Sequence, residues 1–482
     1  MPFTGDQHFF TYGARILADG GRLYVDFWDI KQPGIFWVYR LALSLPFDIV
    51  PSVRSIETLS WTAVAALSVR IVRTQTGDKW IAALAPAFAA GVPLAVAPAW
   101  HLSQVESFAI LPITVVVYLL VNPRLTRLRC FGVGVAAGVL GVLKLLLVLI
   151  PASIFLCALL LNRSRRANFA QTNDKLIHAL VYAAAGFMSL AAVVCLILAL
   201  DGTLAAFLDA TFYYPFTIIR DSAAVPASRL FLSLGWAAWT SIPTLLVTPL
   251  AVSRSMRIDL QEPVILLIVW VCAALLALLM QRTSWWAYHT MLLKTPIAIL
   301  ALIGASRIDR ATPFLVQGRT ATTACVALFV FVLSVSTSGQ TYNKLGFLST
   351  RGAGTNVAQT YEEALVPGYP ELRNEATRLR ATFATSLCVL GDPALLVFSG
   401  LKCTSSVWAG AALNDDMWSR LLLELRRSPP ELIYVAASEV QMIEVNAPDL
   451  LPWIAENYDF MRNGQGTDRV FHLRQQAAWN AR

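Results

Sequence analysis

The sequence predicts an all-α, multi-pass membrane domain followed by a small α/β domain. Hydrophobic residues make up 56% of the 482-residue chain and charged residues only 14%, whereas soluble globular domains carry about 25% charged residues. The apolar residues are gathered in runs close to the roughly 20 helical residues that cross a bilayer. The chain therefore divides into an N-terminal loop region, a transmembrane domain and a C-terminal domain, covering residues 1–50, 51–337 and 338–482.

The transmembrane domain contains nine apolar runs. One of them, at 130–161, is too long for a single span and has Lys144 near its middle. Because a lysine at the bilayer centre costs several kcal/mol, we expect two short helices here with Lys144 near the turn, which gives about ten crossings. The other eight runs cover residues 56–72, 80–97, 107–121, 176–200, 230–252, 264–280, 289–303 and 321–335.

Basic residues are concentrated in one set of alternate loops. The other short loops hold far fewer basic residues, among them Lys144, Arg220 and Arg282. Since cytoplasmic loops carry the excess of Lys and Arg in membrane proteins, the basic set is predicted to be cytoplasmic, and residues 1–50 and 338–482 extracytoplasmic. The net charge of +8 is thus explained by topology, without nucleic acid. The basic set comprises 15 residues: Arg70, Arg73, Lys79, Arg124, Arg127, Arg129, Arg163, Arg165, Arg166, Lys175, Arg254, Arg257, Arg307, Arg310 and Arg319.

The placement of residues 1–50 outside requires an explanation, because no apolar segment precedes them. We expect a first transmembrane helix upstream of Met1. The alternative is that residues 35–45 cross the membrane. This stretch is short and contains Arg40, so we interpret it as an amphipathic helix on the outer surface.

The C-terminal part alternates short apolar runs with helical patterns. The apolar runs lie at 386–390 and 432–435, and the helical patterns at 415–427 and 449–458. This alternation predicts a small α/β domain. Cys388 and Cys403 both lie here, and a disulfide between them is possible if the domain is extracytoplasmic. Sequence alone gives no distance with which to decide.

Charged residues near the N-terminus are the first candidates for chemistry. Asp6 opens a predicted helix that ends near residues 20–21, and a compact set containing Asp26, Asp29 and Lys31 follows. A carboxylate that faces the outer bilayer surface can act as a general base, and a lysine can pair with a phosphate or a carboxylate. The structural alternatives stay open, since Asp is a favoured N-cap and Asp29 with Lys31 can form an ordinary ion pair.

This N-terminal segment resembles the first outer loop of the bacterial membrane glycosyltransferases related to protein O-mannosyltransferases and aminoarabinose transferases, which have the GT-C fold. The resemblance rests on GDQ at 5–7, YGARIL at 12–17 and LYVDFWDIKQPGIFW at 23–37. Weaker parallels continue through most of the chain: Glu106 in HLSQVESF, the break at Lys144, the string WWAYHTMLLKTP and the C-terminal domain. Family members also begin with a transmembrane helix just before the acidic loop.

The resemblance implies a division of labour in the bacterial cell membrane. The donor would be a polyprenyl-phosphate sugar, and the acceptor a hydroxyl of a lipid, glycan or protein. Asp6 matches the family's catalytic acidic position and would take the proton of that hydroxyl, with inversion at the anomeric carbon. Lys31 matches the family's loop lysine and would hold the leaving phosphate, where electrostatic stabilisation acts.

Two positions depart from the family pattern. Gln7 stands where many mannosyl-transferring relatives carry a second acidic residue, and KQP stands at 31–33 where many relatives have Lys-Pro-Pro. Both departures leave the identity of the sugar open, as well as the presence of a metal. If a divalent ion binds, the candidate ligands are Asp29, Glu106 and His289.

Further candidates lie in the other predicted outer loops. Lys144 and Arg282 are candidate contacts for the donor phosphate, although Lys144 could equally extend its amine to the membrane interface. Tyr288 is a candidate site residue or part of an interfacial aromatic belt. For Glu106 the alternatives are a catalytic or metal-binding role and a helix cap. For His289 they are substrate binding and a hydrogen-bonded histidine at a helix end.

Two other classes of function compete with a transferase. A transporter or lipid flippase is expected to have polar residues at mid-membrane depth and interrupted helices in two related halves. A non-catalytic envelope protein is the third hypothesis, and it predicts that Asp6→Ala and Lys31→Ala leave glycans unchanged.

Overall fold

The computed structural model describes residues 1–121, 125–164, 169–221, 226–253, 262–281, 284–308, 339–350, 356–408 and 413–474. These residues are mostly helical, and one small sheet lies in the C-terminal part. The chain divides into two compact units. The first, called the mixed unit below, comprises Met1–Ser52, Ile197–Ala223 and Phe347–Arg482. The second, called the helical unit, comprises Val53–Leu196 and Ala224–Gly346.

Most of the described apolar runs up to residue 308 form helices, and further helices lie between and before them. A π-helical turn, Ala87–Gly91, joins two of them, α4 and α5, into one continuous helical stretch. In chain order the helices are α1 (Asp6–Ala18), α2 (Pro33–Leu43), α3 (Ile49–Thr76), α4 (Lys79–Pro86), α5 (Val92–Val96), α6 (Val105–Leu120), α7 (Arg127–Leu143), α8 (Leu149–Ser164), α9 (Phe169–Leu200), α10 (Leu204–Leu208), α11 (Tyr214–Asp221), α12 (Ala227–Trp239), α13 (Ile242–Ser253), α14 (Glu262–Met280) and α15 (Met291–Ile308).

Six described helical stretches are long and apolar enough to cross a membrane, which identifies the chain as a multi-pass membrane protein. A seventh apolar helix, Val105–Leu120, is shorter. The predicted run 321–335 lies outside the described residues, and the total of ten crossings stays a prediction. The six stretches are Ile49–Thr76, Lys79–Val96, Leu145–Asn162, Lys175–Leu200, Pro263–Met280 and Ala287–Ser306.

The prediction of one helix over residues 230–252 is wrong. Helix α12 ends at Trp239, and α13 begins at Ile242. The break falls at Thr240, whose amide still bonds to the carbonyl of Trp236, and Pro243 occupies the first turn of the next helix. A proline lacks an amide hydrogen and fits best at the start of a helix, so it marks a new helix rather than a continuing one.

The predicted helix break at Lys144 is confirmed. Helix α7 ends at Leu143, and Lys144 has extended backbone angles, φ −165° and ψ 109°. A short 3₁₀ turn, Leu145–Val148, then leads into α8. The apolar run is thus divided at its one charged residue, so the lysine lies at the junction of two helices rather than within one.

Helices α7 and α9 of the helical unit approach each other through glycines. A Cβ atom on Gly134 would lie 1.9 Å from the carbonyl oxygen of Ala183, and one on Gly186 would lie 2.1 Å from that of Phe131. These separations are far below van der Waals contact, so only glycine fits at either position. Small residues allow such close backbone packing between membrane helices, where dispersion replaces the hydrophobic effect as the main attraction.

The C-terminal part of the mixed unit is an α/β domain, as predicted. Its sheet has the order β1-β2-β4-β3, with β1 parallel to β2 and the other pairs antiparallel. The predicted runs form β1 (Leu387–Leu390) and β2 (Leu432–Val435), and every residue of both strands is buried. The mainly exposed hairpin of β3 (Tyr458–Asn463) and β4 (Arg469–Leu473) was not predicted. Helix α16 (Gly339–Thr350) precedes the α/β domain. The helices of the domain are α17 (Asn356–Leu365), α18 (Tyr369–Arg380), α19 (Ala394–Ser399), α20 (Asp415–Arg427), α21 (Val440–Asn446) and α22 (Leu450–Asn457).

The N-terminal helices pack within this same mixed unit. The predicted helix at Asp6 is confirmed as α1, and the predicted helix over 35–45 as α2. A Cβ atom on Gly13 would lie 2.7 Å from Phe27 and 2.8 Å from Phe36, so α1 and α2 approach closely at this glycine. Tyr12 accepts a hydrogen bond from the amide of Cys403 at 3.0 Å, which connects α1 to the C-terminal part.

Candidate functional site

Asp6 lies in the first turn of α1, directly after Gly5. Gly5 has φ +52°, a left-handed backbone conformation that glycine adopts without steric cost. The side chain of Asp6 is 35% exposed, so it is open to solvent although much of α1 is buried. A carboxylate at a helix N-terminus is favoured by the unpaired amides and the helix dipole. The local sequence thus places a charged, accessible carboxylate at this helix end.

Lys31 places its ammonium group between two carboxylates. Its Nζ atom lies 3.8 Å from Oδ1 of Asp6 and 3.6 Å from Oδ2 of Asp29. The same atom lies over the rings of Phe9 and Phe10, at 5.5 Å and 5.3 Å from their centroids. Negative ring faces attract a cation, so the aromatic residues of α1 help to hold the lysine near Asp6. The side chain stays 29% exposed.

Asp29 is the buried member of this group. Its side chain is only 7% exposed, and its Oδ1 accepts a hydrogen bond from the amide of Lys31 at 3.3 Å. Burial raises the pKa of Asp29 above its ordinary value of 3.8, the ammonium of Lys31 opposes that rise, and the charge of Asp6 adds to it. The two carboxylates therefore differ in environment, since Asp6 is accessible and Asp29 is enclosed.

Asp26 does not join this group by any described contact. Its Oδ2 accepts hydrogen bonds from the backbone amide of Arg22 at 2.8 Å and from Nε of Arg22 at 3.3 Å. Both side chains are exposed. The sequence grouped Asp26 with Asp29 and Lys31 because they are close along the chain, but Asp26 instead fixes the turn that begins at Arg22.

The loop that carries Asp29 is held by other parts of the mixed unit. The amide of Trp28 donates to the carbonyl of Ser406 at 2.8 Å, and the ring of Trp28 packs edge-on against Tyr214. The hydroxyl of Tyr24 donates to the carbonyl of Lys31 at 2.8 Å. These contacts fix the backbone on both sides of Asp29, so the spacing of the three charges does not depend on the charges alone.

Three further candidates meet in the helical unit, although they are far apart in the sequence. Nζ of Lys144 donates to Oε1 of Glu106 at 2.7 Å and lies 3.4 Å from Nε2 of His289. Oε1 of Glu106 lies 3.6 Å from the same imidazole nitrogen. Glu106 and His289 are almost fully buried, whereas the Lys144 side chain is 25% exposed. We call this group the Lys144 cluster.

Gln281 completes the Lys144 cluster, and it was not among the residues predicted to form a site. Its Oε1 atom accepts a second hydrogen bond from Nζ of Lys144 at 2.5 Å. Gln281 directly follows the apolar helix α14, and this position at a helix end was the only available signal. Tyr288 packs its ring against that of His289 at 4.5 Å between centroids. Arg282 lies outside the described residues.

The two metal candidates in the Lys144 cluster, Glu106 and His289, do not fit a divalent cation as they stand. Lys144 already neutralises Glu106, and its ammonium would repel a metal ion at this distance. Asp29, the third candidate, belongs to the mixed unit and lies beside Lys31. Across the described part of the chain, no three His, Cys, Asp or Glu side chains come together in a way that could hold a metal ion.

Comparison of the sequence with known proteins assigns the chain to no family. The chain matches no protein-family model, and no curated protein matches it.

Proposed function

We propose that this chain is an inverting glycosyltransferase that moves a sugar from a polyprenyl-phosphate donor to an acceptor hydroxyl at the outer face of a bacterial cell membrane. The observation that carries the proposal is the pairing of Asp6 with Lys31 at 3.8 Å, with both side chains about one third exposed. An accessible carboxylate beside an accessible ammonium group supplies the two charges that this reaction requires.

In the proposed reaction the acceptor oxygen attacks the anomeric carbon while the bond from that carbon to the phosphate oxygen breaks. Asp6 accepts the hydroxyl proton, and the polyprenyl phosphate departs with the bonding electrons. Lys31 neutralises the charge that develops on the leaving phosphate, which is where a fixed cation lowers the barrier. One displacement inverts the configuration. No step passes through a metal ion.

The buried carboxylate Asp29 has a positioning role in this proposal. It accepts the Lys31 amide and lies 3.6 Å from Nζ of the same lysine. When the phosphate arrives, the ammonium can turn from Asp6 towards the phosphate while Asp29 remains close. The Asp6 carboxylate can then accept the proton of the acceptor hydroxyl.

The composition of the mixed unit supports the proposed topology. Residues 1–50 and the tail were both predicted to lie on the outer side, and Met1–Ser52 and Phe347–Arg482 form one compact unit together with Ile197–Ala223. Segments that pack together must lie on the same side of a membrane. The excess of Lys and Arg in the other loops supports the outer side for all three.

The Lys144 cluster is proposed as an anion-binding element of the helical unit. Lys144 is a partly exposed ammonium held at a break between two helices, with Glu106 and Gln281 as oxygen partners. Its remaining accessible surface can face a ligand. A lysine is well suited to a phosphate as a compact point charge.

The deciding experiment compares Asp6→Asn with Asp26→Asn in the full chain. Both changes remove one negative charge from the same segment, but Asp26 contacts only Arg22 in the described structure. With radiolabelled polyprenyl-phosphate sugars and a bacterial envelope extract as acceptor, wild type and Asp26→Asn are expected to form labelled product. Asp6→Asn should lose transfer by about a hundredfold or more, the usual loss for a general base.

The same assay tests the competing functions. Full transfer by Asp6→Asn excludes this residue as the base. Movement of labelled donor across reconstituted vesicles, without any new glycosidic bond, favours a transporter or flippase. If wild-type protein gives neither product nor movement, a non-catalytic envelope role is favoured.

A further inference from the structure

Cys388 and Cys403 are brought together in the C-terminal part of the mixed unit. Leu387 donates its amide to the carbonyl of Lys402 at 2.9 Å, and Ser386 and Lys402 form a parallel bridge. Each cysteine thus directly follows a residue of this backbone contact. Neighbouring strands lie about 4.8 Å apart and rise about 3.3 Å per residue. Cys388 lies one residue beyond the position opposite Cys403, an offset that still keeps the two Cα atoms within the roughly 4.4–6.8 Å that a disulfide spans.

The two thiols also lie close enough to influence each other, since their interaction raises the pKa of Cys388 and lowers that of Cys403. Both are free thiols in the described structure. Cys388 is buried in β1, whereas Cys403 is partly exposed. The pair therefore has one enclosed partner and one partner that a second molecule can reach.

The loop that carries Cys403 contacts the N-terminal segment at three points. The amide of Cys403 donates to the hydroxyl of Tyr12 at 3.0 Å. Lys402 lies 3.5 Å from Asp19, and the carbonyl of Ser406 accepts from the amide of Trp28. This loop thus lies against both α1, which begins at Asp6, and the turn that leads to Asp29.

We propose that Cys388 and Cys403 form a disulfide bond that fastens this loop to the central sheet and so holds the segment containing Asp6 and Asp29. This inference rests on the proposed function in one respect, because it requires the tail to lie on the extracytoplasmic side. Disulfides persist in such oxidising compartments and are rare in the cytosol.

The chemistry is a two-electron oxidation by thiol–disulfide exchange. The Cys403 sulfur attacks a disulfide of an oxidoreductase and forms a mixed disulfide, releasing one thiol of the oxidant. The Cys388 sulfur then displaces the second oxidant sulfur. Two cysteine thiols become one disulfide, and the oxidant becomes a dithiol that carries the two electrons and two protons. The hydrogen bond from Cys388 lowers the pKa of Cys403, which favours the attacking thiolate.

The sequence offers a direct test, because trypsin cleaves between the two cysteines. Cleavage after Arg380, Lys402 and Arg420 places Cys388 in peptide 381–402 and Cys403 in peptide 403–420. The full chain is extracted from cells in the presence of N-ethylmaleimide and digested without reductant. We expect a linked pair of these peptides that a reductant separates. In the variants Cys388→Ser and Cys403→Ser the linked species should be absent, and Cys130 and Cys157 should be alkylated in every sample.

A second measurement uses stability. A reductant should lower the thermal unfolding midpoint of wild type but leave that of Cys388→Ser unchanged. Full alkylation of both cysteines in the wild-type chain at lysis overturns the proposal. Transfer activity measured on the same sample keeps the two hypotheses distinct, because linked peptides in a chain without transfer support the disulfide and count against the glycosyltransferase. A chain that is active in transfer but has both thiols alkylated supports the glycosyltransferase and contradicts the disulfide.

Discussion

The Nζ atom of Lys144 lies 2.7 Å from Oε1 of Glu106, although the two residues are 38 positions apart. Glu106 opens α6, and Lys144 directly follows α7. Two consecutive helices of the helical unit are thus joined by one charged hydrogen bond at the ends where these residues lie. Because the Glu106 side chain is 1% exposed, its buried carboxylate depends on this ammonium group for a counterion.

Replacement of Lys144 by Met tests that dependence. The Lys144→Met variant leaves a buried carboxylate without its cation, and breaking a buried pair in this way costs about 3–5 kcal/mol. The lower end applies here, because the Lys144 side chain is 25% exposed. We expect a clear fall in the thermal unfolding midpoint of the purified protein in detergent.

The double variant Glu106→Gln/Lys144→Met serves as the control for this prediction. It removes both charges, so it should recover part of the stability that Lys144→Met loses. If the effects of the two single changes simply add, the ion pair does not account for the loss.

The sequence identified three members of this cluster, Lys144, Glu106 and His289, but did not predict that their side chains lie in contact. Lys144 was recognisable as a charge inside an apolar run, and Glu106 and His289 as polar residues at the ends of such runs. Their convergence depends on how α6, α7 and the turn before α15 pack, which hydrophobic periodicity does not encode. Gln281 was missed for the same reason, since a single glutamine after an apolar helix is an ordinary helix end.

Only part of the sheet was predictable from the local sequence. The buried strands β1 and β2 were predictable, because short apolar runs with β-branched residues favour enclosed strands. The β3–β4 hairpin is mostly exposed, with the polar sequence YDFMRN in β3, so it carries little hydrophobic signal. The helix break after Trp239 was missed because the run 230–252 was judged by its overall apolar content, although Thr240, Ser241 and Pro243 lie at the break.

The raised pKa of Asp29 predicts a stability that falls as pH rises. The folded state holds the Asp29 proton more tightly than the unfolded state does, because burial disfavours the carboxylate. Its contribution is therefore complete below pH 3.8 and is lost as pH rises through the folded pKa. Asp29→Asn should be more stable than wild type at neutral pH, with the difference shrinking towards pH 4.

Thermal unfolding measured between about pH 4 and 8 checks this sign. Asp26→Asn is the matched control, since Asp26 is exposed and paired with Arg22; it should not change the pH profile. Loss of stability in Asp29→Asn that is equal at every pH would contradict the predicted burial effect.

The lowered pKa of His8, in the same mixed unit, predicts a stability that falls as pH decreases. Its ring is 1% exposed, with Nδ1 3.8 Å from Asp392, and burial lowers the pKa of His8 from 6.5 to about 3. Below pH 6.5 the His8 imidazole is protonated in the unfolded state but stays neutral in the folded state. The folded state is therefore progressively destabilised from pH 6.5 down to about 3, by up to about 1.4 kcal/mol per pH unit.

The His8→Gln variant removes this titration. Its unfolding midpoint should fall less steeply than that of wild type between pH 6.5 and 4, the range in which the lowered pKa of His8 acts. The exposed His472 provides the control, and His472→Gln should keep the wild-type slope. Parallel slopes for wild type and His8→Gln would count against a buried neutral imidazole.

The contact between α7 and α9 predicts a sharp difference between two glycine substitutions. In Gly134→Ala the new methyl group would meet the Ala183 carbonyl at 1.9 Å, so the helices must move apart. Overpacking of this kind costs about 1–3 kcal/mol. Gly235→Ala is the control, because nothing lies within 4 Å of its added Cβ and alanine favours the helix over glycine by about 1 kcal/mol. In detergent, Gly134→Ala should lower the unfolding midpoint and Gly235→Ala should keep or raise it. Equal midpoints for the two variants would mean that α7 and α9 do not touch through their backbones.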